Sequence, residues 1–258
     1  MDLQLENKIA FISASGRGIG RSVAKCLARE GVSVIVNGRT KSDLNNLLEE
    51  LDDSSKHRMF CADLTEPNKV KELIDFFILS NMIPDIVVHN LGGNLNIKNP
   101  LCSAADWLKV QKINFEVPME INRLIIPYMQ EKKWGRICHT SSISALENQG
   151  SPTYCAAKAA LVAYTRSLGR YVAKDGIIIN AILPGAIFTE GGYWDEMNKN
   201  NPSFVEKYLN ERMAIKRFGK PDEIAEVITF LCSNLASFCV GSAFLVDGGQ
   251  GKTFFQQE

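Results

Sequence analysis

A short apolar run at residues 8–13 passes without a break into Ala14, Ser15, Gly16, Arg17, Gly18, Ile19 and Gly20, and a helical pattern follows. Few sequence features constrain a fold as strongly. A buried strand that turns through glycines into a helix sets the helix N-terminus, with its unpaired N–H groups and positive dipole end, over the end of the strand. Glycines keep the turn bare, so that the backbone itself can approach a phosphate. A glycine cluster alone says little, since glycines are ordinary turn residues. Directly after a first strand it predicts a dinucleotide-binding unit.

The rest of the chain repeats the theme. Apolar runs at 31–37, 58–62, 85–89, 135–140, 176–183 and 243–246 read as strands, with helical patterns between them. Strict alternation predicts an α/β fold: a doubly wound parallel sheet with right-handed crossovers, in one Rossmann domain over residues 1–258. Asp63 and Asn90 fall at strand ends, on the carboxyl edge where such sheets bind ligands. The pattern over 106–132 predicts one long helix distorted by Pro118 and Pro127. Asn114 lies in it among apolar neighbours, so its amide must satisfy itself locally or hold something such as a water. Residues 190–216 break the alternation. A polar loop followed by a helix over about 201–213 is expected there, as a small lid on the substrate side.

The second strand ends at Asn37, Gly38 and Arg39, without the acid that would bind the ribose hydroxyls of NAD. Arg39 and Arg17 offer two guanidinium groups instead, which suit a 2′-phosphate and predict NADP(H) over NAD(H). Further on, Ser151 and Pro152 suit the start of a helix that carries Tyr154 and Lys158. At i and i+4 the two side chains share a face. A lysine ammonium beside a phenol lowers its pKa from about 10 toward the range useful for proton transfer. Alone the pair is common; after a dinucleotide unit it marks a candidate catalytic acid–base.

Lys plus Arg and Asp plus Glu both number 29, and no basic run points to nucleic acid. The apolar stretches are too short to span a membrane and the first residues lack a signal-peptide pattern, so a soluble cytoplasmic protein is expected. The seven cysteines include no CxxC pair and the three histidines are scattered, which predicts free thiols and no metal site.

With these pieces in order, the chain resembles the short-chain dehydrogenase/reductase superfamily along nearly its whole length, most of all its 3-oxoacyl-carrier-protein reductase-like branch. The collinear matches are Ser13 to Gly20, Asp63-Leu64, Asn90-Leu91-Gly92, Asn114, Ser142, Tyr154 with Lys158, Pro184-Gly185 with Thr189, and Val246-Asp247-Gly248-Gly249. The resemblance implies that Tyr154 donates and accepts the proton, Lys158 tunes it and holds the nicotinamide ribose, Ser142 holds the substrate oxygen, and Asn114 holds a water that relays protons. It places Ser13, Ser15, Arg17, Gly18, Ile19, Gly20, Arg39, Asp63, Leu64, Asn90, Gly92, Pro184, Gly185, Ile187 and Thr189 on the cofactor. Counting from Tyr154 would select Ser141 as the serine; counting from the strand selects Ser142, the better guide because strand register is the more constrained. Ala14 replaces the usual glycine of the turn and lacks its tolerance of positive φ, so a tighter or altered turn is expected. His89 and Leu91 put an imidazole and a larger side chain near the site. The tail, 251–258, runs past the family's usual end, toward a neighbouring subunit in this reading.

The expected activity is NADP(H)-dependent interconversion of a carbonyl and a secondary alcohol. An epimerase or dehydratase would need an extra acid, and a nucleotide-sensing protein would have no need of the complete Asn114, Ser142, Tyr154 and Lys158 set. For the substrate, Asn94, Asn96, Lys98 and Asn99 with Tyr193, Trp194 and Glu196 point to a small polar or sugar-like ketone, with a 3-oxoacyl thioester as the alternative. Ala156, Ala157, Ala159, Ala160 and Ala163 follow Tyr154 and let a second helix come close, which predicts a homodimer or homotetramer.

Overall fold

The structure, a computed structural model, describes residues 2–252. Residues 253–258, most of the tail assigned above to a neighbouring subunit, lie outside the described residues.

Seven strands, β1 (Ile9–Ile12), β2 (Ser33–Gly38), β3 (Arg58–Cys61), β4 (Ile86–His89), β5 (Gly135–Thr140), β6 (Ile177–Pro184) and β7 (Ala243–Val246), form one sheet in the order β3-β2-β1-β4-β5-β6-β7. Every neighbouring pair is parallel. The winding reverses between β1 and β4, where a doubly wound sheet opens a crevice beyond its carboxyl edge. Helices α1 (Gly18–Arg29), α2 (Lys41–Glu49), α3 (Lys69–Leu79), α4 (Ala104–Gln111), α5 (Val117–Lys132), α6 (Pro152–Val172), α7 (Tyr193–Asn200), α8 (Pro202–Arg212) and α9 (Pro221–Leu231) complete the chain.

Alternation along the strands builds a core on each face. Ala10, Ile12, Val34 and Val36 pack with Val23, Leu27, Ile224 and Ile228 on one side. Phe11, Ile35 and Val87 face Leu73, Phe77, Ile121 and Ile125 on the other. Each such side chain is worth about 1.5–3 kcal/mol of transfer free energy, so the central strands cannot slip register without exposing one whole set.

Two expectations are corrected. The helical pattern at 106–132 is not one helix bent at both prolines: α4 and α5 are separated by a π-helical turn, Lys112–Glu116, with Asn114 inside it. Pro118 has no N–H to offer the Asn114 carbonyl four residues before it, so the helix widens there, whereas Pro127 stays within α5. The segment expected as a lid, 190–216, has α8 where a helix over about 201–213 was expected, and α7 where a polar loop was expected. Asp195 accepts the Gly191 N–H at 2.8 Å and opens α7, and Asn201 accepts from the Phe204 N–H at 3.3 Å at the start of α8.

Candidate active site

A cleft of about 770 Å³ opens over the carboxyl ends of β1, β2, β4, β5 and β6. At one end lies the glycine turn. Helix α1 starts at Gly18 with no acid in its first turn, leaving its free N–H groups turned to the cleft. Gly18 stands at φ +55°, and a Cβ there would come within 3.0 Å of Thr189, so the turn and the loop after β6 meet across the cleft. Gly20 is needed for a different reason. A Cβ on it would lie 2.4 Å from the Ala14 carbonyl and 2.6 Å from the Asn90 amide.

Ala14 does not tighten the turn. It takes the left-handed conformation itself, at φ +50°. The surroundings hold it there: Asn90 Nδ2 donates to its carbonyl at 3.0 Å, and its N–H donates to Asn37 Oδ1 at 3.4 Å.

Of the residues expected on the cofactor, the cleft is lined by Arg17, Gly18, Ile19, Arg39, Asp63, Leu64, Asn90, Gly92, Tyr154, Lys158, Pro184, Gly185, Ile187 and Thr189. Ser13, Ser15 and Gly20 lie behind the wall. Ser13 Oγ accepts the N–H groups of Asn90 and Leu91, both at 3.0 Å, and ties β1 to the loop after β4. Ser15 Oγ bridges the N–H and carbonyl of Asn37, at 2.9 and 3.1 Å. Small hydroxyls here brace the turn rather than face the opening.

At the end of β2, Asn37 turns inward and donates to the carbonyls of Phe60 and Ala62. Arg39 is 77% exposed and reaches Asp63 at 3.6 Å, and Arg17 donates to the Gly191 carbonyl at 2.8 Å. This region is not free of carboxylates, as the sequence implied, because α2 brings Asp43 to the wall beside Gly16. Burial pushes the Asp63 carboxyl up, but bonds from the Thr65 hydroxyl and N–H, with Arg39 alongside, hold it below its ordinary value.

On the far wall, β5 delivers Ser142 and α6 delivers Tyr154 and Lys158. Ser142 Oγ donates to Ser144 Oγ at 3.0 Å and lines the cleft beside Tyr154. Ser141 Oγ instead donates to the Lys158 carbonyl at 3.1 Å, bracing the strand against the helix. Tyr154 is half-buried, and burial pushes its phenol up to about 12, with the Ser142 hydroxyl opposing. Lys158 does not offset this. Its Nζ lies 5.6 Å from the Tyr154 ring centroid and donates to the Thr140 carbonyl at 2.7 Å, and burial pulls it down to about 7. The phenol-lowering expected from the i, i+4 spacing is absent because both groups are desolvated and the ammonium is turned to the backbone.

Asn114 is fully buried at the π-helical turn and does not line the cleft. Nδ2 donates to the Gly93 and Val110 carbonyls, each at 2.8 Å, and Oδ1 accepts the Gly93 N–H at 3.0 Å. A Cβ on Gly92 would sit 2.7 Å from Asn114 Oδ1 and 2.9 Å from Lys158 Nζ, so the glycine keeps open a gap that both polar groups border.

Several comparisons meet at this site. The family model described as "Enoyl-(Acyl carrier protein) reductase", of the short-chain alcohol dehydrogenase type, matches residues 13–250. The chain is a short-chain dehydrogenase/reductase. It is 31% identical over 253 residues to the 3-oxoacyl-acyl-carrier-protein reductase FabG of Aquifex aeolicus, covering 96% of this chain and 99% of that one. Among solved structures it is similar to L-sorbose reductase of Gluconobacter frateurii, complexed with NADPH and L-sorbose, at 30% identity and a TM-score of 0.91, over 98% and 100% of the two chains. A 3-oxoacyl (acyl-carrier-protein) reductase of Agrobacterium tumefaciens with NADP bound matches at 25% identity and a TM-score of 0.89, over 96% of each chain.

Within this dehydrogenase/reductase, His89 lies away from the reaction, contrary to expectation. It is 1% exposed, and its Nε2 lies 2.7 Å from Asn122 Oδ1. Asn122 Nδ2 lies 2.9 Å from His139 Nε2, and His139 Nδ1 lies 2.7 Å from Thr165 Oγ1, which donates to the Leu161 carbonyl. Because Thr165 gives its hydrogen to that carbonyl, His139 donates from Nδ1, accepts at Nε2 and is neutral, and His89 donates from Nε2. Burial holds His89 down at about 4 and His139 well below its ordinary value. Leu91, by contrast, does line the cleft.

The substrate side was the least legible. Trp194 lines the cleft and packs on Tyr208 at 4.4 Å and on Phe218 at 4.8 Å between centroids. Behind it, Gln149, Tyr208 and Gln250 meet through their side chains. No local pattern marks these three, which are 59 and 101 residues from Gln149 to its partners.

Proposed function

We propose that this enzyme is an NADP(H)-dependent oxidoreductase that interconverts a carbonyl and a secondary alcohol on a small polar, polyhydroxylated substrate. The observation that carries the reading is that Ser142, Tyr154 and Lys158 line one wall of a cleft whose opposite end is a bare helix N-terminus. The residues fit a dinucleotide. Gly18 and the α1 N–H groups would hold a pyrophosphate, Arg17 and Arg39 would supply the charge for a 2′-phosphate, and Lys158, beside the gap at Gly92, would hold a ribose hydroxyl. When bound, the nicotinamide supplies or removes the hydride at the substrate carbon.

The protein's own residues handle the oxygen. Ser142 donates to it as negative charge develops, and Tyr154, protonated at neutral pH, delivers the proton in the direction of reduction. Lys158, pulled to about 7, exchanges its proton near neutrality and borders the same gap as Asn114, which supports a relay from the phenol toward solvent. Trp194 offers a flat apolar face, which suits the C–H side of a sugar-like ketone. The relatives cited above include enzymes named for L-sorbose and for 3-oxoacyl thioesters. We place the enzyme in the cytoplasm as a homodimer or homotetramer; Ala156, Ala159 and Ala163 of α6 are exposed and open to a second copy, while Ala157 packs inside.

The test is a carbonyl panel with NADPH and with NADH, spanning ketoses, sugar acids, simple ketones and acyl thioesters, read at the nicotinamide absorbance. Reduction of polyhydroxylated ketones with NADPH is the expected result. In Arg39→Ala, the NADPH preference should shrink by a factor of ten or more, about 1.5–3 kcal/mol for one charge-assisted contact. Turnover of thioesters alone, or an unchanged cofactor preference in the variant, overturns the corresponding half of the reading.

A further inference from the structure

We propose that Gln250 is a positioning residue that couples the lid to the Ser142 hydroxyl and thereby selects the substrate; this rests on the function proposed above. Gln250 follows β7 and is 2% exposed, with a primary amide that joins three segments. Its Oε1 accepts the Ala186 N–H at 2.7 Å, between the cleft-lining Gly185 and Ile187. Its Nε2 donates to Gln149 Oε1 at 2.7 Å and to the Tyr208 hydroxyl. Both N–H groups and the carbonyl are therefore engaged.

The amide is held in place from both sides. A Cβ on Gly185 would strike Gln250 Oε1 at 2.7 Å, so the glycine lets the amide lie flush on the loop after β6. On the other side, Asp247 accepts the N–H groups of Gly249 and Gly251, at 3.0 and 2.6 Å, and fixes the turn that carries Gln250.

Each arm then leads to the cleft. Through Tyr208 the amide reaches Trp194, which packs on the tyrosine and lines the substrate side. Through the Gln149 side chain it reaches that residue's backbone, whose main-chain carbonyl accepts the Ser144 hydroxyl, and Ser144 Oγ accepts from Ser142 Oγ at 3.0 Å. An unbroken chain of contacts thus runs from the lid aromatic to the hydroxyl beside Tyr154, and Gln250 is its junction. The chain holds Ser142 Oγ in place, and when a substrate seats against Trp194 the hydroxyl turns its single hydrogen from Ser144 to the carbonyl oxygen. Gln250 touches neither the cofactor's place nor the reacting atoms, so its effect must appear in substrate selection.

The experiment compares wild type with Gln250→Met, Tyr208→Phe and Gln149→Met on the best ketone of the panel and on a simple ketone of similar size. Gln250→Met should lower kcat/KM for the polyhydroxylated ketone about tenfold, with less effect on the simple ketone, and so erase the preference between them. NADPH affinity should stay within about threefold, and Gln250→Met/Tyr208→Phe should be no worse than Gln250→Met alone. Lower kcat with unchanged KM and selectivity is the mark of a merely structural glutamine and overturns the proposal. A readout without turnover keeps it separate from the proposed function. Limited proteolysis within residues 190–216 should be about fivefold faster in Gln250→Met and Tyr208→Phe than in wild type, and equal rates overturn it. If wild type reduces no carbonyl of the panel, the proposed function fails while the proteolysis still decides whether Gln250 holds residues 190–216.

Discussion

The two ends of the cleft are built on opposite plans. The glycine-turn end is made of backbone, drawn from neighbouring strand ends and braced by small side chains: Ser13, Ser15, Asn37 and Asn90. The lid end is made of side chains, aromatic and amide, brought together from segments far apart in sequence. Backbone geometry recognises what every dinucleotide shares, a phosphate and a ribose. A wall of side chains can be exchanged without disturbing the sheet, so specificity belongs there.

The chemistry sits between the two ends and should break first. Tyr154→Phe is expected to bind NADPH nearly as wild type but to lose roughly 10²–10⁴-fold in turnover, the usual worth of a general acid. Ser142→Ala should lower turnover as well, while Ser141→Ala, whose hydroxyl meets the Lys158 carbonyl, should act mainly on stability. Single-turnover and equilibrium-binding measurements separate these outcomes.

Gly20→Ala attacks the backbone end. Its methyl collides with the Ala14 carbonyl and the Asn90 amide, so overpacking should cost about 1–3 kcal/mol and weaken NADPH binding about tenfold or more. Denaturant melts with and without NADPH check both. A lid-end variant such as Tyr208→Phe should leave NADPH binding untouched, which makes the contrast between the two ends measurable.

Lys158 provides a pH test with a definite sign. Its folded value is near 7 against an ordinary 10.5, so between those values the unfolded chain binds a proton that the folded chain does not. Its contribution to stability therefore rises with pH from about 7 and is lost as pH falls back toward that value. Relative to Lys158→Met, the wild type should gain thermal stability between pH 7 and pH 9 in the absence of cofactor. The upper limit matters, because Tyr154, raised from 10 to about 12, opposes the trend above pH 10. A wild-type-minus-variant difference that is flat or falls over this window contradicts a buried, deprotonating lysine.

The smallest effect belongs to Ala14→Gly. A left-handed alanine costs about 1–2 kcal/mol, offset by the greater freedom of glycine in the unfolded chain. The net gain should be about 1 kcal/mol, or a rise in Tm of about 2–4 °C by calorimetry, with kcat unchanged. No gain would mean that Asn90 and Asn37 relieve the strain altogether.

How much was legible follows the same division. The seven strands, the glycine turn and the Tyr154–Lys158 helix were readable because each is a short-range pattern: alternation, a turn residue, an i, i+4 pair. The π-helical turn at Asn114 was not, since a proline announces a distortion without saying which hydrogen-bond pattern replaces it. The inward turn of Asn37, the arrival of Asp43 at the wall and the burial of His89 depend on which face each side chain takes after packing.

By itself, the amino-acid sequence determined the winding of the sheet, the edge of it that opens a cleft and the helix that sets Tyr154 and Lys158 on its wall. Hydrophobic alternation and local sterics act over a few residues, so they are written where they operate. Tertiary structure alone decided the protonation setting and the substrate wall. Burial draws Lys158 to about 7 and Tyr154 to about 12, values that no spacing encodes because desolvation is a property of everything packed around a group. Likewise Gln149, Tyr208 and Gln250 become one junction only when the sheet has brought the lid, the serine loop and the end of β7 to the same place.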